Sequence, residues 1–305
     1  MLLHKIKRLT YYICNKPDVL VIDFLHIIAP LLPDTIYLKL NYRLLMGIWP
    51  NLRTPIMFNE KLQWLKIHDR KSVYTDMVDK FTAKRYVADI IGEEYIIPTI
   101  GVYNRIEDVK FNLLPAQFVM KCSHDSGGIV ICKDKSCLDV KNAIAVIKSS
   151  MKRNFYPITR EWPYKNVEPR ILVEKYMVDE SGYELKDYKF FCFSGHVEFF
   201  KVDFDRSSGH RANYYNTNME LLPFGEIHCP PDNSKSIVFP ENMKQMIEIA
   251  EKLSKGHPFL RVDLYNVNGN IYFGELTFFP ASGFSKFTDD NWDTKIGKIL
   301  DLSTV

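Results

Sequence analysis

Three stretches of this chain alternate apolar and polar residues at the period of a strand, each folded back by a small polar turn. The clearest is residues 259–283, FLRVDLYNVNGNIYFGELTFFPASG. Asn268-Gly269 between two apolar-rich runs signals a β-hairpin. Loop length then decides which side chains share a face. A two-residue Asn-Gly loop pairs Asp263 with Gly274 and sends Glu275 to the opposite face. A three-residue loop, Val267-Asn268-Gly269 with Gly269 left-handed, pairs Asp263 with Phe273 and Arg261 with Glu275. That register gathers Arg261, Asp263, Glu275 and Thr277 on one face and Val262, Leu264, Tyr272 and Leu276 on the other. Two carboxylates beside an arginine suit a site for Mg²⁺ and phosphate, and equally a surface salt bridge.

The second alternating stretch, residues 118–132, is FVMKCSHDSGGIVIC. Lys121 interrupts an apolar strand, where an unpaired ammonium is costly, so it is expected to face a cleft and an anionic ligand. The Ser/Gly turn over residues 123–128 can bring backbone N–H groups to phosphate oxygens, although it does not match G-x-x-x-x-G-K-[ST]. The third stretch, DYKFFCFSGHVEFFKVDFDR, turns at Ser194-Gly195-His196 and sends Asp187, Lys189 and Phe191 to one side. Its Phe190, Phe191, Phe193, Phe199 and Phe200 read as core. RILVEKYM, residues 170–177, is a further strand.

Elsewhere the period is helical. Residues 1–75 are punctuated by Pro17, Pro30, Pro33, Pro50 and Pro55, and FNEKLQWLKIHDR sets Phe58, Leu62 and Leu65 at helical spacing with charges between, Asn59 being a candidate cap. Residues 76–91 form another helix, with Lys80 and Lys84 four apart on one face, by themselves a solvated basic face. Residues 138–156 and 242–253 are amphipathic helices, residues 206–235 a polar, mobile loop region beside the site, and Trp292 and Leu300 dock the tail. The expected organisation is a helical N-terminal region (1–75), a small α/β segment (76–115), a core of antiparallel sheet and helices (116–285) and a C-terminal tail (286–305). That makes the fold class α+β.

Composition narrows the class without naming an activity. The 305 residues are 46% hydrophobic and 25% charged, with a net charge of +3, ordinary for a globular protein. The sequence has no concentrated basic stripe, so a nucleic-acid partner is not expected. Six cysteines are scattered without C-x-x-C spacing, which points to reduced thiols in a cytoplasmic protein. The basic start (His4, Lys5, Lys7, Arg8, Lys16) precedes an apolar run over residues 19–32 that is too short to span a bilayer. A buried first helix is favoured over one resting on an anionic membrane surface, so the inner membrane face is the alternative location.

Four segments, in this order, resemble an ATP-grasp enzyme: Asp79-Lys80, Lys121 with its Ser/Gly loop, Glu174-Lys175-Tyr176-Met177, and Arg261-Val-Asp…Glu275-Leu-Thr…Pro280. FNEKLQWLKIHDR, FVMKCSHDSGG, REWPYKN, DYKFFCFSG and RVDLYNVNGNIYFGELTFFPASGF are closer still to the TupA-like branch, over roughly residues 55–285. The resemblance implies an ATP-grasp fold of antiparallel sheets with flanking helices behind the helical N-terminal region. It implies ATP and one or two Mg²⁺ ions. Lys80 and Lys121 would hold the phosphates, with Ser126, Gly127 and Gly128 folding over them. Glu174, Tyr176 and Met177 would line the adenine slot, and Asp187 and Lys189 the ribose side. Asp263 and Glu275 would bind Mg²⁺, with Thr277 where many members place Asn, while Arg261 and Lys121 would be catalytic. His124, Arg206, Arg211 and Ser282 are candidate acceptor contacts. The implied activity joins a uronic-acid-type sugar carboxylate to an amine, at the cost of ATP, in bacterial surface-polysaccharide synthesis (capsule or O-antigen). With that function, the three-residue turn becomes the expected one. Two rivals remain: a glycosyltransferase using Asp203 and Asp205 as D-x-D, and a partner protein that keeps only the nucleotide site.

Overall fold

A computed structural model describes residues 17–182, 185–205 and 209–305. The basic N-terminal residues, Cys14 and Arg206 lie outside them. Two antiparallel sheets carry the architecture. The first has strand order β1-β4-β2-β3: β1 Thr99–Tyr103, β2 Phe118–Cys122, β3 Ile129–Cys132 and β4 Ile171–Lys175. The second runs β7-β6-β5-β8-β9: β5 Asp187–Phe193, β6 His196–Phe204, β7 Arg211–Asn216, β8 Phe259–Val267 and β9 Asn270–Thr277. The mixture of helices and antiparallel sheet is the α+β fold expected.

Every position of β5 is buried, because the second sheet is covered on both faces. Helix Met243–Ser254 lays Met246, Ile249, Ala250 and Leu253 on the Phe190/Cys192 side, where the Cys192 thiol reaches the Ala250 carbonyl at 3.8 Å. On the other side Phe191, Phe193, Phe199 and Phe259 form an aromatic layer, capped by Phe58 with its ring 5.1 Å from that of Phe259. The phenylalanines are therefore core, each contributing about 1.5–3 kcal/mol by burial. The charged residues occupy only the part of that face left open above the layer.

The N-terminal helices are α1 Pro17–Ile28, α2 Asp34–Met46 and α3 Phe58–His68. Two details of α3 depart from expectation. Asn59 is no cap: it is buried, its amide nitrogen donates to the Ser285 carbonyl at 2.8 Å, and its side-chain oxygen accepts from the Ser285 amide at 3.1 Å. Glu60 takes the free amides instead, accepting from Asn51, Ile56 and Met57 at 2.8, 3.0 and 3.2 Å. Lys66, placed by the pattern among solvated charges, has no exposed surface.

The helix expected over residues 76–91 is two helices, α4 Val73–Val78 and α5 Thr82–Ile91. Asp79 leaves the helical region (φ −67°, ψ 113°) and accepts the Phe81 amide at 2.9 Å, so Lys80 sits in the joint and not on the same helix as Lys84. Within the region read as a loop, Arg211–Asn216 forms strand β7, while residues 217–235 are turns and irregular chain as expected. There β7 pairs with β6, and buried Asn213 exchanges bonds of 2.8 and 2.9 Å with the backbone of Asp232. The tail forms α-helix Asn291–Ile299, with Trp292 stacked on Phe224 at 4.1 Å and Leu300 buried.

Candidate active site

The β8–β9 hairpin reaches the expected grouping of charges by a different route. Its loop has two residues, Asn268 and Gly269 with φ of 52° and 85° between paired Val267 and Asn270, the left-handed pair that Asn-Gly favours. Continued unbroken, that register would set Asp263 against Gly274. A β-bulge intervenes: Leu264 pairs with Phe273, whereas Asp263 pairs with Glu275 and Arg261 with Thr277. The three-residue turn and the Asp263–Phe273 pairing are thus incorrect. One extra residue, Gly274, flips every side chain before it. Phe273 and Ile271 therefore face the core, and Tyr272 does not.

The bulge collects the charged face. Arg261 holds Asp263 bidentately, Nε to Oδ1 at 2.6 Å and Nη2 to Oδ2 at 2.7 Å, and Nη2 also donates to Glu275 Oε1 at 2.8 Å and Thr277 Oγ1 at 3.0 Å. From β5, the Lys189 ammonium lies 2.5 Å from both Asp187 and Asp263. Burial pushes the Asp263 carboxyl up to about 6 against the pull of Arg261 and Lys189, leaving it ionised at neutral pH. Burial also opposes ionisation of Glu275, yet Arg261, Lys189, Lys80 and Lys121 hold it at about 2.

The first sheet supplies the facing wall. The buried Glu174 carboxylate binds Lys121 and Lys84, each at 2.6 Å. Burial opposes its charge, but the two ammoniums keep its pKa low. Lys84 also donates to the Ile97 carbonyl and the Thr99 hydroxyl at 2.7 and 2.8 Å. A cavity of about 710 Å³ opens beside this pair, lined by Ile97, Val119, Ile131, Tyr176, Met177 and Leu185 among others. It is an apolar slot with charged groups at one end, of the kind that suits a base and its phosphates. Lys80 donates to the Asp125 carbonyl at 2.7 Å, joining the α4–α5 joint to the 123–128 loop.

That loop is folded on helix Val140–Met151. The Asp125 carboxylate accepts from the Ser126 amide at 2.8 Å, from Arg153 at 3.1 Å and from Ser150. Gly127 has φ of +86°, and a Cβ on Gly128 would collide with Ser150. His124 is buried in the loop, and burial lowers its pKa, so the ring is neutral. Arg211 is exposed at the start of β7, away from the charged face. Ser282 lies in the turn after β9, where it receives Lys66.

The D-x-D pair does not act as a unit. Asp203 is buried 3.7 Å from Lys189 and 3.8 Å from Lys201, while Asp205, with φ of 53°, pairs with Lys235 at 3.0 Å. Ligand atoms of Asp203, His210 and Cys229 lie within 4.8 Å of one another, with Asp203 and Cys229 buried and His210 exposed.

Pattern reasoning passed over three residues here. Lys84 reads by itself as part of a solvated basic face, and neither Lys66 nor Glu161 carries a role in the pattern. No periodicity marks them; Lys66 is buried and Lys84 is half-buried through contacts distant in sequence. A lysine four residues after Lys80 was the one available signal.

Asp187, Asp263, Glu275 and the Thr277 hydroxyl offer only oxygen donors, the set a hard divalent cation prefers. The residues present therefore fit Mg²⁺.

The TupA-like ATP-grasp family model matches residues 60–301. Comparison with curated proteins finds no match. Among solved structures, D-alanine–D-alanine ligase from Helicobacter pylori is similar with a TM-score of 0.43 and 14% identity, over 75% of this chain and 59% of that one. The Bacillus anthracis enzyme complexed with ATP gives 0.42 and 14%, over 75% and 65%. Biotin carboxylase from Campylobacter jejuni gives 0.42 and 14%, over 80% and 48%. This chain thus spans less than two thirds of each of these proteins. With the model covering the sheets, the cleft and the charged hairpin, the chain belongs to the TupA-like ATP-grasp family.

Proposed function

We propose that this protein is an ADP-forming carboxylate–amine ligase that makes an amide between a uronic-acid-type sugar and an amino acid or similar amine, in the assembly of a bacterial surface polysaccharide. The observation that carries the reading is Arg261, bonded at once to Asp263, Glu275 and Thr277, across the cleft from Lys121 and Lys80.

Carboxylates resist amines because oxide is a poor leaving group. Phosphoryl transfer from ATP gives an acyl phosphate, and the amine then displaces phosphate. The transfer asks for positioning and charge neutralisation more than for a protein nucleophile. Lys80 and Lys121 neutralise the phosphates. Glu174 fixes Lys121 while Tyr176 and Met177 border the base slot, and Asp187 with Lys189 stands on the sugar side. Bound Mg²⁺, held by Asp263 and Glu275 with Thr277, would offset charge between the phosphates. Arg261 is aimed at charge that grows on the transferred group. Ser126, Gly127 and Gly128 cover the triphosphate, and His124 lies beside them. Arg206 is an acceptor contact carried from the sequence reading alone.

The divided D-x-D pair favours this reading over a glycosyltransferase. Among the described residues no helix is long and apolar enough to cross a membrane; work at the inner membrane face is part of the proposal. The test is ADP release screened over uronic acids paired with amino acids. Turnover requiring both supports the ligase. Turnover unchanged in Asp263→Asn and Glu275→Gln rejects the metal assignment, and consumption of a nucleotide sugar without ATP rejects the class.

A further inference from the structure

Helix α1 is buried on one side only. Leu25 and Ala29 pack into a small core with Tyr37 and Leu38 of α2. Val21, Phe24, Ile27 and Leu31 point outward, the last three 61%, 75% and 82% exposed. Spacings of three and four residues put all four on one side of the helix and of the short turn Ala29–Leu31 that continues it. A single exposed leucine means nothing. A row of four large apolar side chains marks a surface that meets something apolar.

Charge indicates what it meets. Residues 1–56 hold seven Lys and Arg against three Asp, a net charge of +4 where the whole chain has +3, so residues 57–305 together carry −1. On α2, Lys39 and Arg43 stand exposed in line with Ile36. Lys5, Lys7, Arg8 and Lys16 precede α1 with no acid among them. A second copy of this chain would set like charge against like. An anionic lipid surface accepts both the apolar row and the cations beside it.

The same helices are braced to the site. Arg160 donates to the Ala29 carbonyl and, at 3.2 Å, to the Leu32 carbonyl, and it pairs with Asp34 at 3.1 Å. The Tyr37 hydroxyl donates to the Ile158 carbonyl at 2.6 Å. Between them the Thr159 carbonyl accepts from Lys66 at 2.8 Å, and Lys66 also donates to the Ser282 carbonyl at 2.8 Å, in the turn after β9. We propose that α1 docks the enzyme on an anionic phospholipid surface. Its apolar row enters the headgroup boundary, and the flanking Lys and Arg meet lipid phosphates. Docking then fixes the orientation of the cleft to the bilayer, because these contacts tie the helix to the turn beyond β9. The inference gives the membrane location in the proposed function its residues, and rests on the ligase reading only for what the docking serves.

The test sediments the full chain with vesicles of phosphatidylcholine alone, or of phosphatidylcholine mixed with phosphatidylglycerol, at low and high salt. Binding is expected with the mixed vesicles and should weaken with salt. Because the three side chains are exposed, Phe24→Ser, Ile27→Ser and Leu31→Ser combined should keep the wild-type melting temperature and ADP release in solution. That variant should nevertheless lose at least about tenfold in vesicle binding. Lys39→Glu with Arg43→Glu should remove part of the binding that salt screens. Wild type that ignores the mixed vesicles overturns the proposal, as does a triple serine variant that binds as well as wild type. A dimer in light scattering that the serine variant turns into monomer assigns the face to a second copy and also overturns it. The ligase reading fails separately. ADP release without vesicle binding removes the docking and leaves the ligase, and vesicle binding without ADP release from any pairing does the reverse.

Discussion

Gly274 lies against the carbonyl of Asp263: a Cβ added there would sit 2.9 Å from that oxygen and 3.1 Å from the Tyr265 ring. The glycine is what lets the bulge close, and the bulge is what turns Asp263 and Glu275 to one side. Gly274→Val should therefore reach activity through register. Overpacking of this kind costs about 1–3 kcal/mol, a few degrees of melting temperature in a chain this size. The ATP-dependent rate should fall much more, by about tenfold or beyond, because the two carboxylates no longer converge. Thermal melts and ADP release measured on the same samples check this, and a rate loss matched by global unfolding would contradict it.

The hairpin also marks how far the sequence could be read. Asn268-Gly269 identifies the turn, whereas Arg261, Asp263 and Glu275 read by themselves equally as a metal site or a surface salt bridge, and only Lys80, Lys121, the Glu174 segment and the family resemblance tip the balance. The bulge was not legible, because a glycine within a strand shows its role only when the opposing carbonyl is known. Glu174 is expected in the cleft, but its two lysine partners, Lys121 on β2 and Lys84 on α5, depend on packing between residues more than fifty apart. Burial of Lys66 was not legible for a related reason: it lies among the polar positions of α3, yet Thr159 and Ser282 receive its ammonium. Local period finds elements, and it does not report what lands on them.

Lys84 and Lys121 share Glu174 at equal distances of 2.6 Å. Removing Lys84 leaves Glu174 with Lys121 as its one ammonium, drawing that lysine toward the wall and away from phosphate. A hydrogen bond to a charged group is worth about 1.5–3 kcal/mol, so Lys84→Met should raise the KM for ATP roughly ten- to a hundredfold with a smaller change in kcat. Initial rates over an ATP series decide it. An unchanged KM would mean that Lys84 serves only the fold.

His257 is 8% exposed, its ring centroid 5.4 Å from that of Tyr74 and 5.7 Å from that of Phe278. Burial lowers it from the ordinary 6.5 to about 4, with Lys71 adding to the effect. The folded state then binds fewer protons than the unfolded chain between those values. Its contribution is full above pH 6.5 and is lost as pH falls toward 4, on the order of 3 kcal/mol in all. His257→Phe should flatten the melting temperature over that window while leaving it steep elsewhere. Melts from pH 4 to 8 on both proteins test the sign, and parallel curves would refute it.

Arg261 makes four hydrogen bonds to three side chains: two to Asp263, one to Glu275 and one to Thr277. A lysine there keeps the charge but, as a point donor, cannot span both oxygens of Asp263 and still reach Glu275. Arg261→Lys should consequently lower kcat by about 10²–10³, the loss seen when one transition-state donor is removed. ATP affinity, which depends on Lys80, Lys121 and the apolar slot, should change little. Steady-state ADP release gives the first quantity, and equilibrium ATP titration of the same variant gives the second. A variant that loses ATP binding in step with rate would show Arg261 acting as a brace for the two carboxylates. Intact binding with a collapsed rate would show it acting on the phosphoryl group in flight.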